Sequence, residues 1–257
     1  MSNLKNKTVL VTGASKGIGE AIAGYCAAQG ANVILAARNK SALDIIVKEL
    51  RAQGGQALAV QCDVSHYGEL SHAVALAIKE YGALDILVNN AGLIDPIARL
   101  ADSDPETWDF VVDVNVKGVY HGLRAAIPEM LKAGGGTIIN ISSGAATGAL
   151  EGWSHYCSTK AAVLSLTRCA DKEYGGQGIR VIGLSPGTVA TDMQKSIRAS
   201  GINPVSQLDW DVHIPPEWVA KAVEYLCDKG GDDFVGKDFS LKNNDARKQI
   251  GLPMLKS

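Results

Sequence analysis

The chain has 257 residues, of which 46% are hydrophobic and 20% charged, and its formal net charge is −2. That is enough apolar material for a sizeable core, and the lack of a basic excess excludes a protein that tracks nucleic-acid phosphates. Five scattered cysteines (Cys26, Cys62, Cys157, Cys169, Cys227) show neither a disulfide framework nor metal-ligand spacing, so a reducing, cytoplasmic setting and no metal are expected.

No linker, repeat or low-complexity tract divides the sequence, so residues 1–257 read as one domain. The first strand-like run, residues 8–11, begins so early that no secretion signal is expected, and no apolar run approaches a membrane span. Thr12-Gly13-Ala14-Ser15-Lys16-Gly17-Ile18-Gly19 then leads into a helical pattern over 19–29. Further strand-like runs at 33–36, 57–61, 86–88, 137–141 and 181–184 alternate with helical patterns at 41–53, 67–81, 105–132 and 154–174. The strands are almost wholly apolar rather than alternating, as in a parallel sheet covered on both faces. Gly30, Gly54, Gly82, Gly134 and Gly175 follow the helical patterns and fit C-terminal caps. This rhythm predicts an α/β fold: a single-domain, doubly wound parallel sheet, Rossmann-like, with helices on both faces.

Beyond Pro186 the pattern loosens. Residues 188–211 carry Met193, Ile197, Ile202, Leu208 and Trp210 without clear periodicity, and the stretch 192–214 is expected to form a substrate lid. A helix from Pro215 to about Lys229 and a last strand at 238–241 complete the pattern, before a tail with a helix-like piece at 246–250.

Gly13, Gly17 and Gly19 join a strand to a helix, where bare backbone turns tightly and helix amides face a phosphate. The end of the second strand reads Ala36-Ala37-Arg38-Asn39, with no acid to receive a ribose hydroxyl. Arg38 and Lys16 would instead suit a 2′-phosphate, which favours NADP(H) and leaves NAD(H) as the alternative. Downstream, Tyr156 and Lys160 stand four residues apart on one helical face, and Ser143 lies thirteen residues before the tyrosine. A phenol with a neighbouring ammonium can exchange a proton with a carbonyl oxygen, because the positive charge lowers the phenol's pKa. His155 turns to another side of the helix and reads as structural; Asp192, Asp209 and Asp211 read as solvated.

These motifs, with Asp63-Val64, Asn89-Asn90-Ala91-Gly92, Asn115, Ser142-Ser143 and Pro186-Gly187, resemble those of the short-chain dehydrogenase/reductase family in its compact branch, from about residue 7 to 191. The resemblance implies an oxidoreductase moving a hydride between NADP(H) and a carbonyl or secondary alcohol. It gives Tyr156 the acid/base role, Ser143 rather than Ser142 the substrate oxygen, Lys160 the nicotinamide ribose, and Asn115 a water in a proton path. It also brings Ser15 and Ile18 of the glycine turn, Asp63 and Val64 beside the adenine, Asn90 beside its ribose, and Val189 and Thr191 to the carboxamide. Leu93, Ile94, Leu150, Trp153, Met193 and Trp210 are expected on an apolar substrate wall. Asp192-Met193 resembles reductases of 3-ketoacyl thioesters, although no basic surface for an acidic carrier follows it. A non-catalytic NADP(H) sensor or scaffold and a nucleotide-sugar epimerase are the rival readings. The chain keeps all three catalytic side chains, and it is too short for an epimerase's added domain. The resemblance further implies a homotetramer or homodimer built on helices 105–132 and 154–174, with Val111, Val112, Val119, Leu164 and Leu166 as contact candidates. The usual Asp-Gly-Gly after the last strand is replaced by Leu241-Lys242-Asn243-Asn244, and the following tail could cover a neighbouring subunit or its own domain.

Overall fold

In the computed structural model, which describes residues 3–255, the apolar runs line up as one sheet. Its strands are β1 (Thr8–Thr12), β2 (Asn32–Ala37), β3 (Gln56–Gln61), β4 (Ile86–Asn89), β5 (Gly136–Ile141), β6 (Ile179–Ser185) and β7 (Asp238–Ser240). All pair in parallel, in the order β3-β2-β1-β4-β5-β6-β7. The helices are α1 (Gly17–Ala28), α2 (Lys40–Ala52), α3 (Tyr67–Tyr81), α4 (Pro105–Val112), α5 (Gly118–Lys132), α6 (Ser154–Tyr174), α7 (Asp192–Ser200), α8 (Pro216–Cys227) and α9 (Asn244–Gln249). Alternate strand residues feed two cores. Val9, Val33 and Ile182 pack with Ile22, Leu43 and Val219 on one face, whereas Leu10, Ile34 and Val181 pack with Leu70, Leu123 and Val163 on the other. The doubly wound α/β expectation is met, and among the described residues no helix is long and apolar enough to cross a membrane.

Four sequence expectations are corrected. The pattern over 105–132 is not one regular helix: a π-helical turn, Asp113–Lys117, separates α4 from α5 and brings Asn115 inward. Such single π turns cluster at functional positions because they redirect one side chain without breaking the helix. Gly175 does not cap α6 in a left-handed conformation; a short turn continues through it, and Gly178 takes the positive φ of 87°. The stretch 192–214 is more ordered than its weak periodicity suggests, since it holds α7 and two short 3-10 turns. Val111, Val119 and Leu164 are buried within this chain, so they are spent on its own core rather than left for a second copy. Phe110 and Tyr120 are the exposed large hydrophobic side chains on α4 and α5.

The tail lies against its own domain. Asn243 caps α9 through the Asp245 and Ala246 amides, while the buried Arg247 donates to the Leu241 and Pro253 carbonyls at 2.6 and 3.0 Å. Leu252 joins the core beside α8; the tail's last two residues, 256 and 257, lie outside the described ones.

A buried polar seam runs under α5 and α6. Asn89 donates to Asn140 at 2.9 Å, and Asn140 donates to Thr167 at 2.9 Å. Gly122 of α5 sits on this seam so closely that a Cβ there would lie 2.2 Å from the Asn89 side-chain oxygen. Gly122→Val is therefore expected to destabilise the fold by about 1–3 kcal/mol, as overpacking of a well-filled interior does. Chemical denaturation is the measurement, and an unchanged midpoint would contradict this close packing.

Candidate active site

Strand order reverses between β1, whose crossover leads to β2, and β4, which leads to β5. Such a reversal opens a crevice at the carboxyl ends of the strands, and the motifs from distant parts of the sequence gather there. The glycine turn leaves β1 and enters α1. Gly13 and Gly17 have φ of 64° and 61°, conformations that suit glycine. A Cβ on Gly13 would lie 2.8 Å from the Ala91 backbone, and one on Gly19 would lie 2.4 Å from the Gly13 carbonyl oxygen. The turn is thus pressed against the end of β4, and its Ala14 amide is tied to the Ala36 carbonyl of β2 at 3.2 Å. Ile18 anchors it in the core, whereas Ser15 and Lys16 stand toward solvent. These are the features a pyrophosphate needs, and the residues present fit a dinucleotide.

Asn90 has a structural task that its motif did not reveal. Its side-chain amide donates to the Thr12 and Gly13 carbonyls at 2.9 and 3.2 Å, and its backbone N–H donates to the Thr12 hydroxyl at 2.9 Å. It clamps the glycine turn to β4. At the next strand end, Asp63 accepts from the Ser65 amide and hydroxyl at 3.0 and 2.7 Å. Burial works to raise this carboxyl, but those bonds and the nearby Arg38 and His66 hold it below the usual value. Val64 packs into the space over Gly118, where a Cβ would come within 2.7 Å of it. The Arg38 guanidinium lies 5.8 Å from the Phe110 ring centroid, a cation–π contact on α4.

The second cation is held differently. Lys16 pairs with Asp192 at 3.3 Å, and Asp192 also pairs with Lys195 at 2.9 Å. Lys195 and Lys16 hold the Asp192 carboxyl below its ordinary pKa. This corrects the expectation that Asp192 is merely solvated: Lys195 stands one helical turn on, and Lys16 is 176 residues away, out of reach of any spacing argument. Thr191, at the start of α7, touches the same turn, with its methyl 3.3 Å from where a Gly17 Cβ would be. Buried Val189 forms a parallel bridge with Ile214, and Ala190 donates to Ile214 at 2.9 Å. The two ends of the 192–214 excursion are therefore tied together beside the crevice.

At the end of β5 the two serines part. Ser142 turns under the sheet to Asp238, donating at 3.3 Å, while Ser143 accepts from the Ala145 amide at 3.1 Å and hydrogen-bonds Tyr156. Tyr156 and Lys160 project from the same side of α6, both buried. The Lys160 ammonium donates to the Ile141 carbonyl at 2.7 Å and lies 5.6 Å from the Tyr156 ring centroid. Asn115, on the π turn, closes the group: it accepts from the Leu93 amide at 2.8 Å and donates to the Leu93 carbonyl at 2.9 Å and to Thr159 at 3.1 Å. Its oxygen and the Lys160 nitrogen flank Gly92, lying 3.5 and 3.8 Å from where a Cβ there would be.

The electrostatics correct one expectation. Burial pushes the Tyr156 phenol up to about 12, against the downward pull of the Ser143 bond. Burial likewise brings Lys160 down to about 8, with Asp238 pulling upward. Desolvation thus outweighs any lowering of the phenol by the lysine, whose ammonium is bonded to a carbonyl instead. His155 is structural as expected, fully buried with its ring against the Ile94 carbonyl at 2.5 Å.

Ile94, Ala145, Trp153, Tyr156 and Ile197 form a separate apolar cluster, with Leu150 and Met193 packed against it. Trp153 meets Tyr156 edge-on at 5.5 Å, and its indole N–H is buried without a hydrogen-bond partner. Two expected wall residues are not in this cluster: Leu93 packs under the sheet, and Trp210 is exposed in the 192–214 stretch, stacked on His213 at 5.1 Å. An open groove of about 530 Å³ lies on the other side of α6, lined by Cys157, Ser158 and Ala161. It does not contain Ser143, Tyr156 or Lys160 and is not the site of chemistry. Among the described residues, no group of three or more His, Cys, Asp or Glu could hold a metal ion.

The chain belongs to the short-chain dehydrogenase family, whose pattern it matches over residues 7–201. It is accordingly an oxidoreductase of that family. It is 36% identical over 193 residues to a 3-oxoacyl-[acyl-carrier-protein] reductase of Staphylococcus epidermidis, covering 75% of this chain and 79% of that protein. A crystal structure of an actinorhodin polyketide ketoreductase variant with NADPH superposes with a TM-score of 0.85 at 30% identity, covering 94% of this chain and 97% of the other. A 7α-hydroxysteroid dehydrogenase with NADH and 7-oxo glycochenodeoxycholic acid gives a TM-score of 0.82 at 33% identity, with 93% of each chain covered.

Because the buried phenol titrates near 12, the cofactor-free protein should show no Tyr156 phenolate through pH 10. The ultraviolet difference between wild type and Tyr156→Phe measures this directly. A phenolate band for that residue at pH 8–9 would mean that the lysine, not burial, sets its acidity.

Proposed function

We propose that the chain interconverts a hydrophobic ketone and its secondary alcohol with NADP(H). The observation that carries this reading is the meeting of Ser143, Tyr156 and Lys160 beside the glycine turn, three side chains able to hold and protonate a carbonyl oxygen. When bound, the nicotinamide supplies or takes up the hydride. The protein's share is proton handling and orientation. Gly13, Ser15, Lys16, Gly17, Ile18 and Gly19 would hold the pyrophosphate end, Asp63 and Val64 the adenine, and Asn90 the turn that carries them. Val189 and Thr191 would fix which face of the carboxamide-bearing ring looks inward.

In reduction, Ser143 donates to the substrate oxygen and steadies the charge that grows there. Tyr156 delivers its phenolic proton to the same oxygen. Lys160, one helical turn on, faces both the phenol and the ribose side, and Asn115 leads its proton toward solvent. In oxidation the same proton returns to Tyr156. Leu150, Trp153 and Met193 wall the substrate in apolar surface, with α7 and the turns after it as the lid.

A narrower substrate class has a specific observation behind it. The unpaired Trp153 indole N–H in an otherwise apolar cluster is a donor in search of a second acceptor on the substrate, since a buried unpaired donor costs roughly 1–3 kcal/mol. A 3-ketoacyl thioester has that second carbonyl, in keeping with the substrate named for the staphylococcal relative. We further place a second copy of the chain on the α4–α5 surface that exposes Phe110 and Tyr120, giving a homodimer or homotetramer.

Two outcomes test the reading. Tyr156→Phe should lower turnover of a 3-ketoacyl thioester or hydrophobic ketone by at least about 100-fold, with NADPH affinity, followed by nicotinamide fluorescence, largely kept. Residual activity within tenfold of wild type would refute the proton-transfer role. In the same assay, Arg38→Ala should weaken NADPH about tenfold or more while leaving NADH little changed, because only the former carries a 2′-phosphate. Equal losses for both coenzymes would contradict the assignment of Arg38.

A further inference from the structure

We propose that Asp238, on the last strand, is a positioning residue for Lys160: it supplies the half-buried negative charge that keeps the lysine ammonium protonated at the end of β5. The proposal rests on the reading above only for what Lys160 does, not for whether Asp238 governs it.

The geometry begins with a glycine. Asp238 pairs in register with Gly183 of β6. A side chain at Gly183 would collide with the carboxyl, since a Cβ there would lie 2.3 Å from Asp238 Oδ1. The bare position lets the carboxyl lie across β6 and reach β5, where Ser142 donates to Oδ2 at 3.3 Å. The other oxygen, Oδ1, is shielded from solvent and has no hydrogen-bond partner. One residue before Ser142, the Ile141 carbonyl accepts from Lys160 at 2.7 Å. Acid and ammonium therefore converge on adjacent residues of one strand end, approaching from β7 and from α6.

The charged groups facing Asp238 are Lys160 and the exposed Arg168, both from α6, with the Ser142 hydroxyl from β5. Its own neighbour Lys237 is turned away, donating to the Asp233 carbonyl at 3.0 Å. Burial raises Asp238 to about 6, against the pull of Ser142, Lys160 and Arg168. Lys160 stands at about 8, lowered by burial and raised by Asp238. Between these two values carboxylate and ammonium coexist. Without the carboxylate, desolvation acts on the lysine unopposed, and its proton leaves at lower pH. A carboxyl that only fastened β7 through Ser142 would alter stability but not the lysine's titration.

The experiment uses the full chain without coenzyme, labelled with ¹³C at lysine Cε. The Lys160 resonance is assigned by its loss in Lys160→Met. In wild type it should titrate near 8, with a smaller inflection near 6 as Asp238 gains its proton. In Asp238→Asn the main midpoint should fall by about one pH unit and the lower inflection should vanish, while Asp238→Glu should restore both. An unchanged midpoint in folded Asp238→Asn overturns the proposal. Should that variant not fold, the wild-type curve decides: one step with no inflection near 6 overturns it equally. The alkaline limb of NADPH-dependent ketone reduction should move with the lysine. If the resonance shifts but no ketone or thioester is reduced by wild type, the function fails and the Asp238–Lys160 linkage stands.

Discussion

The site depends on keeping an ammonium and a phenol out of water at the end of β5. Tyr156 and Lys160 are both buried, and in a low-dielectric setting each is driven toward its neutral form. What makes this tolerable is a set of fixed partners: the Ile141 carbonyl for the ammonium and the Ser143 hydroxyl for the phenol. These partners come from the last residue of β5 and the loop that follows it, so the packing of α6 on that strand decides whether these groups meet. The Asn140–Thr167 bond between the same two elements fixes their registry with a polar contact, where an apolar one would permit sliding.

The crevice is assembled by contacts that skip large stretches of sequence. Asn90 and Thr12 bind the glycine turn to β4, Lys16 and Asp192 bind it to α7, and Val189 and Ile214 close the base of the 192–214 excursion. The strength of these ties is graded. Those to backbone carbonyls are half-buried and geometrically fixed, whereas the Lys16–Asp192 pair is largely solvated and correspondingly weak. A weak pair across the mouth of a crevice is compatible with opening. The strong ties below it keep the turn's amides in place while that happens.

Much of this was legible in sequence because the signals were either continuous or local. Apolar strands buried on both faces leave an unbroken run, and the positive φ values of Gly30, Gly54, Gly82 and Gly134 follow from caps read at fixed offsets. Tyr156 and Lys160 came from spacing on one helix, and Ser143 rather than Ser142 from the family resemblance. The π turn at Asp113–Lys117 left no such mark, since shifting a hydrogen bond by one residue changes no hydrophobic period. Helix α7 was missed because its nine residues offer mainly Met193 and Ile197 as anchors, too few for a period. The Asp192 pairing and the place of Asp238 beside Ser142 are tertiary, created by strand order and by the missing side chain at Gly183.

The two pKa displacements bear on direction as well as on existence. A phenol held at about 12 is a reliable proton donor, and one that resists giving up its proton to solvent. A lysine near 8 beside it can lose and regain its own proton around neutrality. Under the function proposed above, reduction asks that the phenol carry its proton when the substrate oxygen becomes basic and be refilled from behind. In the same proposed reaction, alcohol oxidation asks the opposite of Tyr156, a phenolate before hydride leaves, which desolvation opposes and the Lys160 ammonium 5.6 Å from the ring centroid favours.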